Sequence, residues 1–319
     1  MKNTNQSVLE KVMKETHKDY KKWINNFALN LEAIWRESSA GEIDLENMSN
    51  QNSAIVIGGG PSLSKKNHLE ILAESNYNGA VIVVDRVLKK ALDKGVTPEK
   101  FEKFFVTSIE PYDRIELHFD HKIVDEYGKK IKGLFPIISS PKTINRVRKA
   151  GIKIHWFHPL IDYNEGIKSF NGISAQMVKT KKNNGLPALQ TGGNVGTTSW
   201  FIGWQILKCS KIGLIGMNHG WDENDNPEKI ITHGHENPDA KVDSTLTNLT
   251  FTKIYNPDFN CYCIMDPIYQ FYSNALKEFI ARSPKWLTTI NTTEGGSIFG
   301  EKIISMQFLD FLEKNKEGL

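Results

Sequence analysis

Short apolar runs recur along the middle of the chain, and a segment with helical spacing follows most of them. Continuous apolar strands without alternation are expected where helices cover both faces of a parallel sheet. The predicted strands are residues 54–57, 80–84, 104–107, 134–138, 152–156 and 211–215, and the predicted helices are residues 66–75, 87–94, 142–150 and 196–207. This alternation predicts an α/β fold with a Rossmann-like, doubly wound and mostly parallel sheet.

The chain begins with a different pattern. Apolar residues recur at helical spacing from residue 7 to about residue 37, and Ser7 followed by Glu10 is typical of a capping box. Residues 38–52 are rich in Ser, Gly, Asn and acids, so we expect a linker there. The apolar stripe of the N-terminal helix predicts a homodimer contact.

A polar stretch rich in Asp, Asn, His and Pro follows Gly216. Long segments without periodicity are usually functional or mobile, so we expect a lid loop over residues 217–267. Beyond it the pattern predicts a helix, a strand and a last helix over residues 268–281, 287–291 and 302–314. We therefore expect an N-terminal helix and linker over 1–52, a nucleotide-binding domain over 53–300 with a helical and loop appendage, and a C-terminal helix over 301–319.

Composition narrows the classes of partner. The 319 residues carry 40 Lys and Arg against 37 Asp and Glu, interleaved along the chain, so no basic tract indicates a nucleic acid. No apolar run approaches the roughly 18 residues of a membrane span, and the polar N-terminus lacks the apolar core of a secretory signal. Three cysteines without a CxxC pair argue against a disulfide framework. We expect a cytoplasmic protein.

Two glycine-rich turns each open onto a predicted helix. Glycine lets backbone approach a ligand closely, and the N–H groups of a helix N-terminus favour an anion. We expect a nucleotide to bind between the turns, at Gly58, Gly59, Gly60, Pro61, Ser62, Thr191, Gly192, Gly193 and Asn194. The alternatives are a tight turn without a ligand in the first case and close helix packing in the second. Valine at Gly60 or Gly193 is expected to abolish nucleotide binding without unfolding the chain.

Two acids end predicted strands. Ligands of open α/β sheets bind beyond the carboxyl ends of the strands, so Asp85 and Glu110 are candidates to contact a ribose or a substrate hydroxyl. Asp85 also fits the N-cap of the helix that follows it. Glu110 is a candidate catalytic residue.

The last parallel strand leads into Asn218 and His219, and His235 lies further along the polar stretch. Imidazole titrates near neutral pH, so we expect His219 or His235 to be the general acid or base. Asn218 follows the predicted strand 211–215 and Glu294 follows the predicted strand 287–291, and both are candidate substrate ligands. Glu294 equally fits a simple acid in a turn. His233 and His235 lack a third ligand at metal-binding spacing, so we predict no metal site.

Together, the segments 57–63, 108–111, 191–196, 215–219 and 291–296 resemble the MptE-like family. That family includes archaeal 6-hydroxymethylpterin diphosphokinases and the motility-associated factor (Maf) proteins that glycosylate flagellin. The pattern is also similar, more distantly, to bacterial sialyltransferases with a GxGPSL loop. The resemblance covers roughly residues 53–300 and implies a Rossmann-like domain that binds a nucleotide between the two glycine-rich turns.

The resemblance allows two kinds of group transfer. A diphosphokinase would pass diphosphate from ATP to a pterin alcohol with Mg²⁺, which carboxylates hold across the phosphates. This chain has the single acid Glu110 where that branch has closely spaced aspartates, and Asn218 where many relatives have an acid. The other branch would move a sugar from a CMP-type nucleotide sugar to a hydroxyl of a small molecule, glycan or protein. The departures favour glycosyl transfer.

The sialyltransferase pattern is incomplete as well. Leu189 stands near the position where those enzymes carry an arginine, and no tyrosine pair is evident around Trp221. Two further interpretations stay open: a nucleotide-binding protein without catalysis, and an NAD-dependent oxidoreductase. The missing third glycine of the dinucleotide fingerprint disfavours the oxidoreductase.

Overall fold

The protein is described by a computed structural model, which describes residues 2–44, 53–162, 169–225 and 251–315, with side chains from residue 19 onward. The described strands are β1 Ser38–Ser39, β2 Ser53–Ile57, β3 Ala80–Val84, β4 Phe104–Thr107, β5 Lys132–Pro136, β6 Lys153–Leu160, β7 Ala188–Gln190, β8 Lys211–Ile215, β9 Trp221–Asp222, β10 Thr252–Asn256, β11 Cys261–Met265, β12 Thr288–Asn291 and β13 Ile303–Ser305. The described helices are α1 Lys2–Arg36, α2 Ser62–Lys65, α3 His68–Glu74, α4 Leu88–Asp93, α5 Lys122–Tyr127, α6 Pro141–Lys149, α7 Phe170–Lys179, α8 Val195–Phe201, α9 Pro267–Ala281 and α10 Phe308–Lys314.

Ten strands form one sheet in the order β1-β6-β5-β4-β3-β2-β8-β12-β13, with β7 paired to β6. Every pair in this sheet is parallel. The chain runs outward from β2 through β3 to β6 and then returns to the other side of β2 with β8. The doubly wound α/β fold predicted from the sequence is confirmed, and the strand order reverses between β2 and β8.

The central strands show why their sequences do not alternate between apolar and polar residues. Ile55 and Ile57 of β2 pack into one apolar cluster, whereas Ala54 and Val56 pack into a second cluster. Successive side chains of a strand point to opposite faces, so both faces of the sheet are covered. All five residues of β2 are buried.

The N-terminal helix α1 belongs to the main domain, which corrects the predicted boundary at residue 52. Trp23, Phe27 and Ile34 are buried in the core. On the same helix, the Asn26 amide donates to the carbonyls of Pro111 and Ile138 at 2.9 Å, and the Asn30 amide donates to that of Ser139 at 2.7 Å. Over the described side chains, Trp23, Phe27 and Ile34 of the apolar stripe therefore pack on the chain's own core, whereas Ile24 is exposed, and the homodimer stays a prediction.

The predicted linker is also part of the sheet. Ser38 and Ser39 form β1, which pairs with β6, and Ala40 and Ile43 are buried beyond it. Residues 45–52 lie outside the described residues. Strand β1 adds only two residue pairs at the edge of the sheet, where small and polar residues are tolerated. The composition of this segment is therefore also typical of a linker.

The C-terminal third differs from the predicted pattern in two places. The predicted last helix over 302–314 is a short edge strand, β13, followed by α10, because Ile303–Ser305 continues the sheet beside β12. Within the predicted lid over 217–267, β9, β10 and β11 form a separate antiparallel sheet, and residues 226–250 lie outside the described residues. Among the described residues, no helix is long and apolar enough to cross a membrane.

Candidate active site

A cavity of about 520 Å³ lies beyond the carboxyl ends of β2, β3 and β8, where the strand order reverses. We call it the switch-point cavity. Its floor is formed by Gly58–Gly60 after β2 and by Gly216 and Met217 after β8. Open α/β sheets bind their ligands at this position, and the volume is in the range of small-molecule sites.

The first glycine turn is held against the loop that follows β8. The N–H of Gly58 donates to the carbonyl of Ile215 at 2.8 Å, and the N–H of Gly60 donates to that of Gly216 at 2.7 Å. A Cβ atom on Gly58 would lie 2.5 Å from the Gly216 carbonyl oxygen, and one on Gly60 would lie 2.3 Å from the Asn218 side-chain oxygen. Close passage of these two backbones therefore requires glycine, whereas the exposed Gly59 has room for a small side chain.

Ser62 and Asn218 lie behind this turn. Both side chains are buried, and the Asn218 amide oxygen accepts from the Ser62 hydroxyl at 2.7 Å and from the Ser62 N–H at 3.3 Å. Pro61 is the residue before α2, which begins at Ser62. Pro61, Ser62 and Asn218 are not among the described residues that line the switch-point cavity. They lie behind it and support the glycine turn.

The second glycine turn closes the opposite side of the cavity. Asn194 caps α8: its side-chain oxygen accepts from the N–H of Thr197 at 2.9 Å, and the Thr191 hydroxyl accepts from the N–H of Gly193. Gly192 and Gly193 have φ angles of 54° and 79°, in the left-handed region that favours glycine. A Cβ on Gly193 would lie 2.8 Å from the Tyr272 ring. Gly193 and Asn194 line the switch-point cavity together with the first turn of α8.

Asp85 is buried at the end of β3 and lines the cavity. One of its carboxyl oxygens accepts from the N–H of Arg86 at 2.7 Å. The predicted N-cap role is not seen, because Val84 and Val87 hold the N-cap positions of the following 3₁₀ turn and of α4. Burial raises the pKa of Asp85, and the Ser108 hydroxyl and His118 oppose that shift. His118 lines the same cavity, and burial lowers its pKa while Asp85 opposes the shift. The sequence prediction missed His118.

Two arginines add positive charge to the cavity. Arg86 follows Asp85 directly, and its side chain lies beside Gly59, with its Cδ 3.4 Å from the position of a Cβ there. Arg114 lines the other side and lies over the Tyr112 ring. The salt bridges of the described residues involve neither arginine. The sequence analysis did not name Arg86. Its position could have indicated it, because it follows the candidate residue Asp85 at the end of a predicted strand.

His219 lies in the cavity between two tyrosines of α9. Its ring is stacked 6.4 Å from that of Tyr269 and lies 6.3 Å from that of Tyr272, and all three residues line the cavity. Its φ angle of 45° is unusual for a side-chain-bearing residue. Asp266 caps α9 by accepting from the N–H of Tyr269 at 2.6 Å. Two tyrosines of α9 therefore lie beside His219, and burial raises the pKa of Tyr269 to about 12.

A second cavity of about 670 Å³ adjoins the first, and we call it the side cavity. It lies between α1, α9 and the loops after β4 and β6. Glu110, Gly193 and Tyr272 line both cavities. Glu110 therefore lies at the junction of the two cavities.

Two predicted site residues lie away from both cavities or cannot be placed. Glu294 accepts from the N–H of Phe308 at 3.0 Å and lies 3.6 Å from His68, so it caps α10 on the far side of the glycine turn. This position does not bring it to a substrate in either cavity. His235 lies outside the described residues, and its predicted role stays a prediction.

Two carboxylic acids line the switch-point cavity, Asp85 and Glu110. Magnesium is usually held by one or two carboxylates together with substrate phosphates. Among the described residues, no group of three or more His, Cys, Asp and Glu side chains could hold a metal ion by itself. The number of carboxylates in the cavity therefore does not exclude a Mg²⁺ ion that is held together with substrate phosphates.

Comparisons with a family model and with solved structures gave matches. The profile described as "6-hydroxymethylpterin diphosphokinase MptE-like" matches residues 25–224, close to two thirds of the chain. The structure of a Maf glycosyltransferase from Magnetospirillum magneticum AMB-1 is similar with a TM-score of 0.52 at 15% sequence identity. The match covers 81% of this chain and 34% of that one, so this chain spans about a third of its length. A comparison with curated proteins gave no significant match.

Proposed function

Because the chain belongs to the MptE-like family, we propose that it is a nucleotide-dependent transferase that moves the sugar of a CMP-type nucleotide sugar to a hydroxyl acceptor. The observation that carries this proposal is the pair of cavities that meet at Glu110, Gly193 and Tyr272. A transferase needs two ligands held side by side, with their reacting atoms in contact.

The switch-point cavity suits the phosphate of the donor. Arg86 and Arg114 are positive, and Val195 and Gly196 of the first turn of α8 line the cavity. Tyrosine hydroxyls and an imidazole complete the set of donors to an anionic leaving group. Side chains of this kind stabilise a departing phosphate without the help of a metal ion.

The residues at the junction suit the chemical step. The acceptor hydroxyl oxygen attacks the anomeric carbon of the sugar, and the bond between that carbon and the phosphate oxygen breaks. CMP leaves with the electron pair, and the Glu110 carboxylate takes the proton of the acceptor hydroxyl. His219, between Tyr269 and Tyr272, stabilises the charge that develops on the leaving phosphate.

The second candidate is 6-hydroxymethylpterin diphosphokinase activity, which the description of the matching family favours. It requires ATP, and the phosphoryl chemistry of known enzymes of this class depends on metal ions across the phosphates. The single acid Glu110 in place of closely spaced aspartates, and Asn218 in place of an acid, argue against it. The nucleotide requirement separates the two candidates.

The test is CMP release from CMP-N-acetylneuraminate in buffer that contains EDTA. We expect the wild type to release CMP and the Glu110→Gln and His219→Asn variants to release it at least about tenfold more slowly, since a positioned acid or base contributes roughly 10²-fold or more. Asparagine tolerates the left-handed backbone at residue 219. Glu99→Gln, an exposed residue outside both cavities, is the matched control. Turnover of ATP and 6-hydroxymethylpterin with Mg²⁺, and none of the CMP sugar, would contradict the proposal.

A further inference from the structure

The side cavity differs from the switch-point cavity in its charge. The ionisable side chains among its described lining residues are, apart from tyrosines, all acidic: Asp19, Glu110, Asp162 and Glu278. The switch-point cavity instead combines two acids with two arginines and two histidines. The side cavity therefore favours a ligand without negative charge, whereas the switch-point cavity accommodates an anionic one.

The acids of the side cavity are held in place by their contacts. Asp19 accepts from the Tyr112 hydroxyl, and Asp162 accepts from the N–H of Phe170. Glu278 pairs with Arg282 at 2.5 Å, on the exposed side of α9. Arg282 offsets part of the charge of Glu278, but its guanidinium is not part of the lining.

The remaining walls are aromatic. Trp23 of α1 is buried against the core, and Phe271, Tyr272 and Phe279 of α9 lie opposite it. Aromatic faces pack well against the apolar face of a ring, while a few carboxylates fix its orientation by accepting from O–H or N–H groups. The cavity is thus built for a ring compound that donates hydrogen bonds.

We propose that the side cavity is the acceptor site and that it selects an uncharged or cationic hydroxyl-bearing ring compound over a phosphorylated or carboxylated one. This inference rests on the proposed function, because it takes the switch-point cavity as the donor site. An anionic acceptor would lie next to up to four carboxylates, and like charges in a partly desolvated site repel. The α1 helix, through Asp19 and Trp23, then forms one wall of the acceptor site.

The experiment compares methyl α-glucoside with glucose 6-phosphate as probes in saturation-transfer NMR, with the full chain and CMP present. We expect the glucoside to bind about tenfold more tightly, equivalent to about 1.4 kcal/mol. Glu278→Lys should reduce the ratio of the two dissociation constants. Glu99 is equally exposed but lies outside the cavity, so Glu99→Lys should leave that ratio unchanged. Equal binding of the two probes, or stronger binding of the phosphate, would overturn the charge selection.

The location of the probe is tested by filling the cavity. Ala275 lines the side cavity but not the switch-point cavity, so Ala275→Trp should abolish the glucoside signal. Asn274→Trp, exposed on the same helix, is the matched control and also reports whether α9 tolerates the bulk. Binding that survives Ala275→Trp, or no binding of either probe to the wild type, would overturn the assignment. CMP affinity is measured in parallel. If CMP does not bind but the glucoside still binds more tightly than glucose 6-phosphate, the result contradicts the proposed donor site and leaves the acceptor site standing.

Discussion

The amide oxygen of Asn218 accepts two hydrogen bonds from Ser62, one from its hydroxyl at 2.7 Å and one from its N–H at 3.3 Å. These bonds join the loop after β8 to the first residue of α2, directly behind the glycine turn. The two loops that form the floor of the switch-point cavity are thus fixed to each other by one buried side chain.

Removal of this side chain should destabilise the protein. Asn218→Ala leaves the buried Ser62 hydroxyl without its acceptor, which costs roughly 1–3 kcal/mol. Asn218→Asp keeps an acceptor oxygen in place and should cost less. Urea unfolding of the two variants and the wild type measures the difference. A free energy of unfolding for Asn218→Ala equal to that of the wild type would show that the contact does not support the turn.

The glycine turn should respond differently at two neighbouring positions. Gly60→Ala places a Cβ 2.3 Å from Asn218 and 2.7 Å from the Gly216 carbonyl oxygen, whereas at Gly59 the nearest atom is a Val87 methyl at 3.3 Å. Overpacking of this kind typically costs about 1–3 kcal/mol, so Gly60→Ala should lower the melting temperature clearly more than Gly59→Ala. The sequence analysis expected that Gly60→Val would leave the chain folded. From the structure we expect this substitution to destabilise the protein. Equal melting temperatures of the two alanine variants would contradict this assignment.

Valine at Gly193 meets a related obstacle. The φ angle of 79° and the 2.8 Å approach to the Tyr272 ring make any side chain strained there. Loss of nucleotide binding in either valine variant would therefore not separate a ligand contact from local unfolding. Gly59→Val, on the exposed glycine of the turn, is the better test of ligand approach.

The stability of the protein should fall in mild acid. Burial lowers the pKa of His155 and of His158 from 6.5 to about 4. Below about pH 6.5 the unfolded chain binds protons at these residues and the folded chain does not, so stability that is present above that pH is lost as the pH falls towards 4. Each histidine should contribute a loss on the order of 2 kcal/mol between about pH 7 and pH 5.

Urea unfolding at a series of pH values checks this expectation. His155→Gln should show a shallower decrease than the wild type, because one of the two buried imidazoles is gone. A free energy of unfolding that stays constant between about pH 7 and pH 5 would contradict the assignment.

The parallel sheet and its ligand edge could be anticipated from the sequence, because continuous apolar runs such as Ala80–Val84 are typical of strands with both faces covered. Gly58, Asp85, Glu110 and His219 followed from the same logic, since each lies just beyond a predicted strand. The pattern of apolar strands therefore predicted the site residues whose position depends only on where a strand of the sheet ends.

Other site residues depend on contacts between distant segments. Tyr269 and Tyr272 lie on a helix whose pattern resembles that of any packed helix, and only its packing against the loop that follows β8 brings them to His219. Asn26 and Asn30, spaced four apart on α1, are polar residues within an apolar stripe, which is a weak signal for a buried helix that donates to carbonyl groups. His118 lies in a short 3₁₀ segment, Asp113–His118, whose sequence carries no periodic pattern.

The central claim is that the switch-point cavity binds a nucleotide without a metal ion, and titration of CMP into the purified protein by calorimetry tests it most directly. We predict binding in EDTA that Mg²⁺ does not strengthen, and a loss of about tenfold or more in Arg86→Ala, since a hydrogen bond to a charged group contributes roughly 1.5–3 kcal/mol. Arg36→Ala, on the exposed end of α1, should bind CMP as the wild type does. Binding of ATP only with Mg²⁺, and no binding of CMP, would contradict the account.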